Sequence, residues 1–390
     1  MAGSPPPPEW RVPMMDWDRP PWNRWAFQRI SQILPTAAIR RGAAVSALPL
    51  SSARLDDLVY PGADGRQMTF AGMLDDTFTD AMFVWKDGKI LHESYHNGMD
   101  ARSVHLLQSV SKSMTATAAA GLFAEGRMDP DAPITEYLPE LARTAWAGAT
   151  VQQVLNMTSG VRFDESYDRR DSDVGKTDVA AGWKPAPRDM DTRDWPSCIW
   201  DQILGLTVAE AAHGARFKYR SIETDVFAHA MERVTGQRLP QILSERLWQP
   251  LGCEEDASIT VDPAGYGLAS GGISASLRDM ARFGLALLND GQVEGRQTIA
   301  KRWIDDTKRG AHGLFDAESR LGLPNGCYRN QFWIEDRASE RLLCRGVFGQ
   351  LVYVAPDAGL VAVKFSTTPE FTSRPHFLST MAALHAVATI

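Results

Sequence analysis

Three serines, Ser109, Ser111 and Ser113, crowd around one lysine, Lys112, in the stretch HLLQSVSKSM. A serine hydroxyl becomes a nucleophile when a neighbouring base takes its proton, and lysine can be that base if burial or a positive neighbour keeps it neutral. Spacing decides which serine can use it. On a helix, residues three apart share a face, whereas adjacent residues point about 100° apart. Only Ser109 stands three residues from Lys112, so Ser111 and Ser113 are expected to cap, pack or face solvent. The run from Ser109 to Glu125 is alanine-rich, carries Met114, Ala118 and Leu122 at four-residue steps and ends at Gly126, which predicts a helix with a buried face. Ser109 would begin that helix, where unpaired N–H groups favour developing negative charge. The spacing alone also fits an ordinary helix start with a solvated lysine, so the surrounding elements must decide.

A second constellation, HESYH from His92 to His96, spells the His-Glu-x-x-His pattern of zinc proteases. That pattern works on a helix, where the two histidines converge on the metal. Here it falls within AMFVWKDGKILHESY, in which two β-type runs flank Asp87 and Gly88, a pair suited to a tight hairpin turn. Four residues of strand span about 13 Å, too far for two imidazoles to share one zinc at about 2 Å each. The other histidines form no cluster with ligand spacing, and no metal site is expected. Neither a Gly-x-Ser-x-Gly elbow nor a phosphate-binding glycine loop occurs, so cofactor-free hydrolysis is the simpler expectation.

These residues need a scaffold. A chain of 390 residues, 44% apolar, can bury a large core and suggests two domains or one with a large insertion. The formal charge of -7 argues against nucleic acid and an anionic membrane surface as partners, since both require a basic face. Cys198, Cys253, Cys327 and Cys344 lie far apart without a Cys-x-x-Cys pair, which suits a reducing compartment. The N-terminus lacks a positive region followed by an apolar run, so neither signal peptide nor membrane anchor is expected, and the protein is assigned to the cytoplasm. Residues 1–21 read as a proline-rich arm laid over the surface. NRWAFQRISQILPTAA reads as a short amphipathic helix stopped by Pro35. TVQQVLNMTSG has capping-box spacing between Thr150 and Gln153, with Gly160 to close the helix. TDVFAHAMERVTG is a further helix, and Ser276 caps LRDMARFGLALLNDG. RLLCRGVFGQLVYVAPDAGLVAVKFST reads as two strands joined at a proline and glycine turn, with a last helix from about Pro375. Strands at both ends and helices between them imply an α+β fold: a sheet domain built from both chain ends with a mostly helical domain inserted.

Ser109 and Lys112 at the start of an alanine-rich helix, with TVQQVLNMTSG about forty residues later, resemble the serine hydrolases that share the fold of β-lactamases and penicillin-binding proteins. The resemblance implies an antiparallel sheet flanked by helices, from 22–108 and 266–390, an inserted helical domain at 109–265, and an active site between them. In that family a Tyr-x-Asn or Tyr-x-Ser element supplies a second base, and FKYRSIETDV offers Tyr219, Arg220 and Ser221 in the matching place. The third element, a strand bearing Lys-Thr-Gly or a variant, is matched by Cys344, Arg345 and Gly346, with the N–H groups of Ser109 and Val347 as the oxyanion hole. Cysteine in place of the family's lysine points away from penicillin recognition, toward esterase-like and amidase-like branches. NRWAFQRISQILPTAA, LLQSVSKS, the AGW phrase at Ala181 to Trp183 and FKYRSIETDV followed by ERVTG look more closely like the 6-aminohexanoate-dimer hydrolases, from about Trp22 to about Ser366. In those enzymes a tyrosine and an aspartate in the loop before AGW contact the scissile amide nitrogen and the substrate's terminal ammonium, and Tyr167 and Asp178 hold the matching positions. Ser270, in LASGGIS, falls where the family varies its pocket-lining side chain. The resemblance thus implies acyl transfer through Ser109, Lys112 and Tyr219, a small-molecule amide or ester substrate, carboxylesterase side activity and a homodimer. A short-chain carboxylesterase without nylon-oligomer activity, and a non-catalytic binding domain of the same fold, are the alternatives.

Overall fold

Two runs far apart in the chain, TDAMFVWK and LVAVKFS, lie side by side in a seven-stranded antiparallel sheet. The computed structural model describes residues 11–51 and 53–390. The strands are β1 (Thr79–Lys86), β2 (Lys89–Tyr95), β3 (Cys327–Arg329), β4 (Phe332–Ile334), β5 (Leu342–Gly346), β6 (Gln350–Ala355) and β7 (Leu360–Ser366), in the order β3-β4-β5-β6-β7-β1-β2. β1 and β2 form the expected hairpin: Asp87 and Gly88 both take positive φ, 46° and 86°, between the paired Lys86 and Lys89, as a two-residue turn matched to strand twist requires. Five helices matter for the site: α1 (Val110–Ala118), α2 (Asp173–Ala180), α3 (Ile222–Thr235), α4 (Leu277–Leu288) and α5 (Arg374–Ala388).

The inner strands are apolar at nearly every position because both sheet faces are covered. Met82, Val84, Leu351, Tyr353, Leu360 and Ala362 pack with Phe70 and Leu74 and with Leu384 and Val387 of α5. The alternate residues Ala81, Phe83, Val352, Val354, Val361 and Val363 join the larger core that contains Met280 and Phe283 of α4. Period two sorts the side chains to opposite faces, and truncating one of the fully buried aromatics, such as Phe83, would cost about 3–5 kcal/mol. The segment 109–265 gives no strand to this sheet. A smaller antiparallel sheet, in the order Thr36–Ile39, Ala257–Thr260, Ile273–Ser276, Val104–Leu106, guides the chain into α1. Leu107 N donates to Ile273 O at 2.8 Å, tying that entry to the segment that follows Ser270.

Local signals place most helix ends. Thr150 and Gln153 form a complete capping box, Ser276 Oγ accepts from Asp279 N, and Gly236 ends α3 in the left-handed region. Four expectations need correction. NRWAFQRISQILPTAA is not one helix but a turn of helix at Asn23–Ala26, a 3-10 turn at Ile30–Gln32 and the strand Thr36–Ile39. Arg29 leaves helical geometry, and the Phe27 carbonyl accepts instead from Leu106 N, a tertiary bond that replaces helix propagation. The helix begun at Val151 stops at Leu155, five residues short of Gly160, where Met157 turns to φ 54°. The C-terminal run contains three strands, because Phe348 and Gly349, at φ 62° and 88°, reverse the chain between β5 and β6. Of the proline-rich arm, residues 1–10 lie outside the described residues. The stretch from 11 to 21 does more than lie on the surface: Trp17 is fully buried and its Nε1 donates to Trp183 O at 2.8 Å.

Candidate active site

The short strand Val104–Leu106 runs into a strained corner. Gln108, 6% exposed, holds φ 50° directly before Ser109, a conformation that costs a non-glycine residue about 1–3 kcal/mol and persists where the surroundings enforce it. Ser109 stands at the N-cap position of α1, where its side chain makes no capping bond, and every residue of α1 is buried. That burial is what the alanine-rich sequence provides, and it takes Lys112, 1% exposed, out of water. Its Nζ donates to Ser109 Oγ at 3.0 Å and to Ser270 O at 2.5 Å, and lies 5.2 Å above the Tyr219 ring. Burial lowers the Lys112 pKa, opposed by the negative charges of Glu165 and Asp225. Ser111 and Ser113 face elsewhere. Ser111 Oγ accepts from Ile273 N at 3.1 Å, and Ser113 Oγ donates to Gln331 O at 2.7 Å.

Tyr219 enters from the segment before α3. Its ring stacks on Trp333 at 5.7 Å, and its phenol lies within electrostatic reach of the Ser109 hydroxyl. Burial raises its pKa, the Glu165 charge adding to the rise and Ser109 opposing it, so the phenol stays protonated at neutral pH. The neighbouring Arg220 is fully buried and fixes this segment, donating to Glu210 at 2.7 Å and to Lys218 O at 3.0 Å.

The third element closes over the serine. Gly346 passes so near the chain that a Cβ there would lie 2.7 Å from Leu107 O and 3.1 Å from Gln108 Cβ; only glycine permits that approach. Val347 follows immediately and lines the same cavity as Ser109. Among the described residues neither the Ser109 nor the Val347 N–H donates to another backbone group. Cys344 is buried, its thiol pushed up to about 12 mainly by desolvation. Arg345 lies over Phe377 at 3.9 Å and Trp333 at 5.1 Å.

Ser109, Tyr167, Asp178, Ser270 and Val347 all line one cavity of about 310 Å³; Lys112 lies beneath Ser109, under its floor, and Lys112 Nζ faces the Tyr219 ring to one side. Tyr167 stacks on Phe371 at 5.4 Å and donates to Glu165 Oε1 at 2.7 Å. Burial raises its pKa well above the usual phenol range, with Glu165 adding to the rise. Asp178 sits on α2 rather than in a loop, because Ser172 caps that helix by accepting from Gly175 N at 3.0 Å. Its carboxylate pairs with Lys184 at 3.1 Å, and Lys184 also holds Asp18 at 2.8 Å. Burial raises the Asp178 pKa, Lys184 opposes that, and Asp18 adds to it. Ser270 acts through its backbone, its carbonyl receiving Lys112.

Three further residues belong here that motif reading passes over. Glu165 accepts from the Ser221 N–H at 2.9 Å as well as from Tyr167, which joins the pocket wall to the start of α3. Asp225 accepts from Ser270 N at 3.1 Å. Lys184 occupies the Asp178 carboxylate, which the resemblance implies would meet the substrate's ammonium. Asp225 carried one faint signal, its place one helical turn after Ser221; Glu165 and Lys184 had none. His92 to Tyr95 lie on β2, as expected, and His96 follows its end; the separation expected of a straight strand does not hold, because His92 Nε2 and His96 Nε2 both reach Ser94 Oγ, at 2.8 and 3.1 Å, once the chain leaves the strand at His96.

An antiparallel sheet, a helical segment outside it and a Ser–Lys–Tyr cluster beside the end of β5 mark a serine hydrolase of β-lactamase-like fold. Comparison with known proteins makes this specific. The family model described as Beta-lactamase matches residues 69–386, and the chain belongs to that family. It is 37% identical over 362 residues to a 6-aminohexanoate-dimer hydrolase of Paenarthrobacter ureafaciens, covering 92% of this chain and 89% of that protein. It is 29% identical over 167 residues to the esterase EstB of Burkholderia gladioli, 40% of this chain and 39% of that one. The solved structure of a Bacillus anthracis protein, provisionally named for the same dimer hydrolysis, superposes with a TM-score of 0.87 at 27% identity over 98% of both chains. The protein is thus a β-lactamase-family hydrolase related to a 6-aminohexanoate-dimer hydrolase and to an esterase. Among the described residues no helix is long and apolar enough to cross a membrane.

Proposed function

We propose that the protein hydrolyses linear amides of the 6-aminohexanoate-dimer type, and short-chain esters beside them, through an acyl group carried on Ser109. The observation that carries this reading is the 3.0 Å contact between Ser109 Oγ and the buried Lys112 Nζ. Neutral Lys112 takes the hydroxyl proton as Ser109 Oγ bonds to the substrate carbonyl carbon, and the resulting oxyanion is held by the N–H groups of Ser109 and Val347. Tyr219 gives its phenol proton to the leaving nitrogen and regains one from Lys112. The C–N bond then breaks, the amine departs, and an ester to Ser109 remains. Water repeats the path in reverse, losing a proton to the same base while Ser109 Oγ recovers one as the ester bond breaks.

Asp178 supplies the carboxylate that a primary ammonium requires, since a partly desolvated cation needs an opposite charge. Lys184 holds it in the free protein and can withdraw to Asp18, which it already contacts at 2.8 Å. That same pairing favours a second reading, a carboxylesterase for which no substrate cation has to displace the lysine. A panel of p-nitrophenyl esters, linear and cyclic 6-aminohexanoate dimers and a cephalosporin separates the two. Cleavage of linear dimer and esters, with a mass-resolved acyl adduct on Ser109, is expected; ester turnover without dimer cleavage would leave the second reading.

A further inference from the structure

The peptide of Ser270 connects the base to a group that the reaction as written does not use. Its carbonyl accepts from Lys112 Nζ at 2.5 Å, while its N–H donates to Asp225 Oδ1 at 3.1 Å. Asp225, on the first turns of α3, is 2% exposed, and its Oδ2 is buried with no hydrogen-bond partner among the described residues. A buried carboxylate oxygen without a partner disfavours the anion, just as burial of Lys112 disfavours the ammonium. Two states of the pair are electrically equivalent: ammonium with carboxylate, or amine with carboxylic acid. Only the second leaves Lys112 with a lone pair for the Ser109 proton.

We infer that Asp225 is a positioning residue for that proton: it shares one proton with Lys112, and its charge sets how much of Lys112 is basic. It acts on the base through the Ser270 peptide and the buried space around it, without touching substrate. The electrostatics agree in direction, since burial lowers Lys112 and raises Asp225 while each opposes the other's shift. The other groups facing Lys112 are the Glu165 carboxylate from the segment before α2, which also holds a proton on the lysine, the Tyr219 ring, and the neutral Ser109 and Ser270. Arg345 bears on Tyr219, the far side of the cluster. The inference rests on Lys112 as the base, and it gives a reason for Ser270: its backbone spans the pair, and its N–H, bonded to Oδ1, stabilises the Asp225 anion.

The test is the pH dependence of kcat/KM on a p-nitrophenyl ester, together with the pH dependence of inactivation by a fluorophosphonate, which reports Ser109 reactivity without substrate recognition. The acid limb of each profile follows deprotonation of the free enzyme's base. Asp225→Asn removes the anion that holds the proton on Lys112, so the basic form should persist to lower pH and both limbs should move down by about one unit. Asp225→Thr also removes the charge while keeping a short side chain with an oxygen; its limbs should move the same way, and it carries the test if Asp225→Asn does not fold. Folded variants with unmoved or raised limbs, or inert at every pH, would overturn the inference, because losing the anion must leave more neutral lysine. Undiminished activity in Lys112→Ala would instead sink the assignment of the base itself.

Discussion

The floor and the wall of the cavity are built on different principles. At the floor, Lys112 is 1% exposed and Asp225 2% exposed, and each is held by the main chain of Ser270. On the wall, Asp178 keeps 29% of its side chain exposed and shares its counter-ion, Lys184, with Asp18 of the N-terminal arm. Proton transfer requires groups whose charge is disfavoured by burial, so that a small change in surroundings moves the proton. Recognition of a cation requires a carboxylate that can exchange partners in contact with water, where ion pairs are weak and replaceable. Substitutions at the floor should therefore change the turnover of every substrate alike, and substitutions on the wall should separate amides from esters.

The largest effect tests the floor. Ser109→Ala should abolish both amide and ester turnover, a fall of at least about 10⁴-fold, while Ser111→Ala and Ser113→Ala retain most activity because their hydroxyls serve Ile273 N and Gln331 O. An acyl adduct mapped by mass spectrometry to Ser111 would break the assignment. Lys112→Ala should match the loss in Ser109→Ala.

Tyr219→Phe should be graded instead of absolute. An amine leaves only with a proton, whereas p-nitrophenolate leaves unaided, so the variant should lose about a hundredfold on the linear dimer and less on a p-nitrophenyl ester. Equal losses on both substrates would show that Tyr219 does not protonate the leaving group. It would then belong with Lys112 as part of the base, on the floor side of the comparison.

The same division governs how much could be read from the residues alone. Spacing made the Ser109 and Lys112 pair legible, because it is a local property of one helix. The β1–β2 hairpin was legible for a similar reason, since Asp87 and Gly88 settle their own turn. Legibility failed where tertiary contacts override local pattern. The segment after Trp22 carries helical periodicity, yet Leu106 N captures the Phe27 carbonyl and the helix breaks. CRGVFGQ hides a chain reversal, since Phe348 at φ 62° is apolar and gives no turn signal. Asp178 was found through the resemblance, but its bond to Lys184 was not, because Asp18 reaches the pair from 160 residues away, on the N-terminal arm. Asp225 and Glu165 look like ordinary acids in sequence; only packing shows which proton each one faces.

The wall gives the smaller effects. Asp178→Asn should lower kcat/KM for the linear dimer about tenfold to a hundredfold, the loss of one charge-assisted hydrogen bond of about 1.5–3 kcal/mol, and leave a neutral short-chain ester nearly unchanged. Steady-state kinetics on both substrates decides this, and a proportional fall on both would mean that Asp178 only holds α2 in place. Lys184→Met probes the competitor. With the lysine gone, Asp18 and Asp178 face each other without a shared cation; Lys184 no longer opposes the rise in the Asp178 pKa that burial and Asp18 cause. A cationic substrate relieves that repulsion, so the dimer should gain a few-fold in kcat/KM, or about 1 kcal/mol. The gain should rise with pH, since burial and Asp18 push the Asp178 carboxyl toward its neutral form, and be absent for the ester at every pH. A loss on the dimer would identify Lys184 as the ion that organises the wall, and Asp178 would then be a structural partner of the arm.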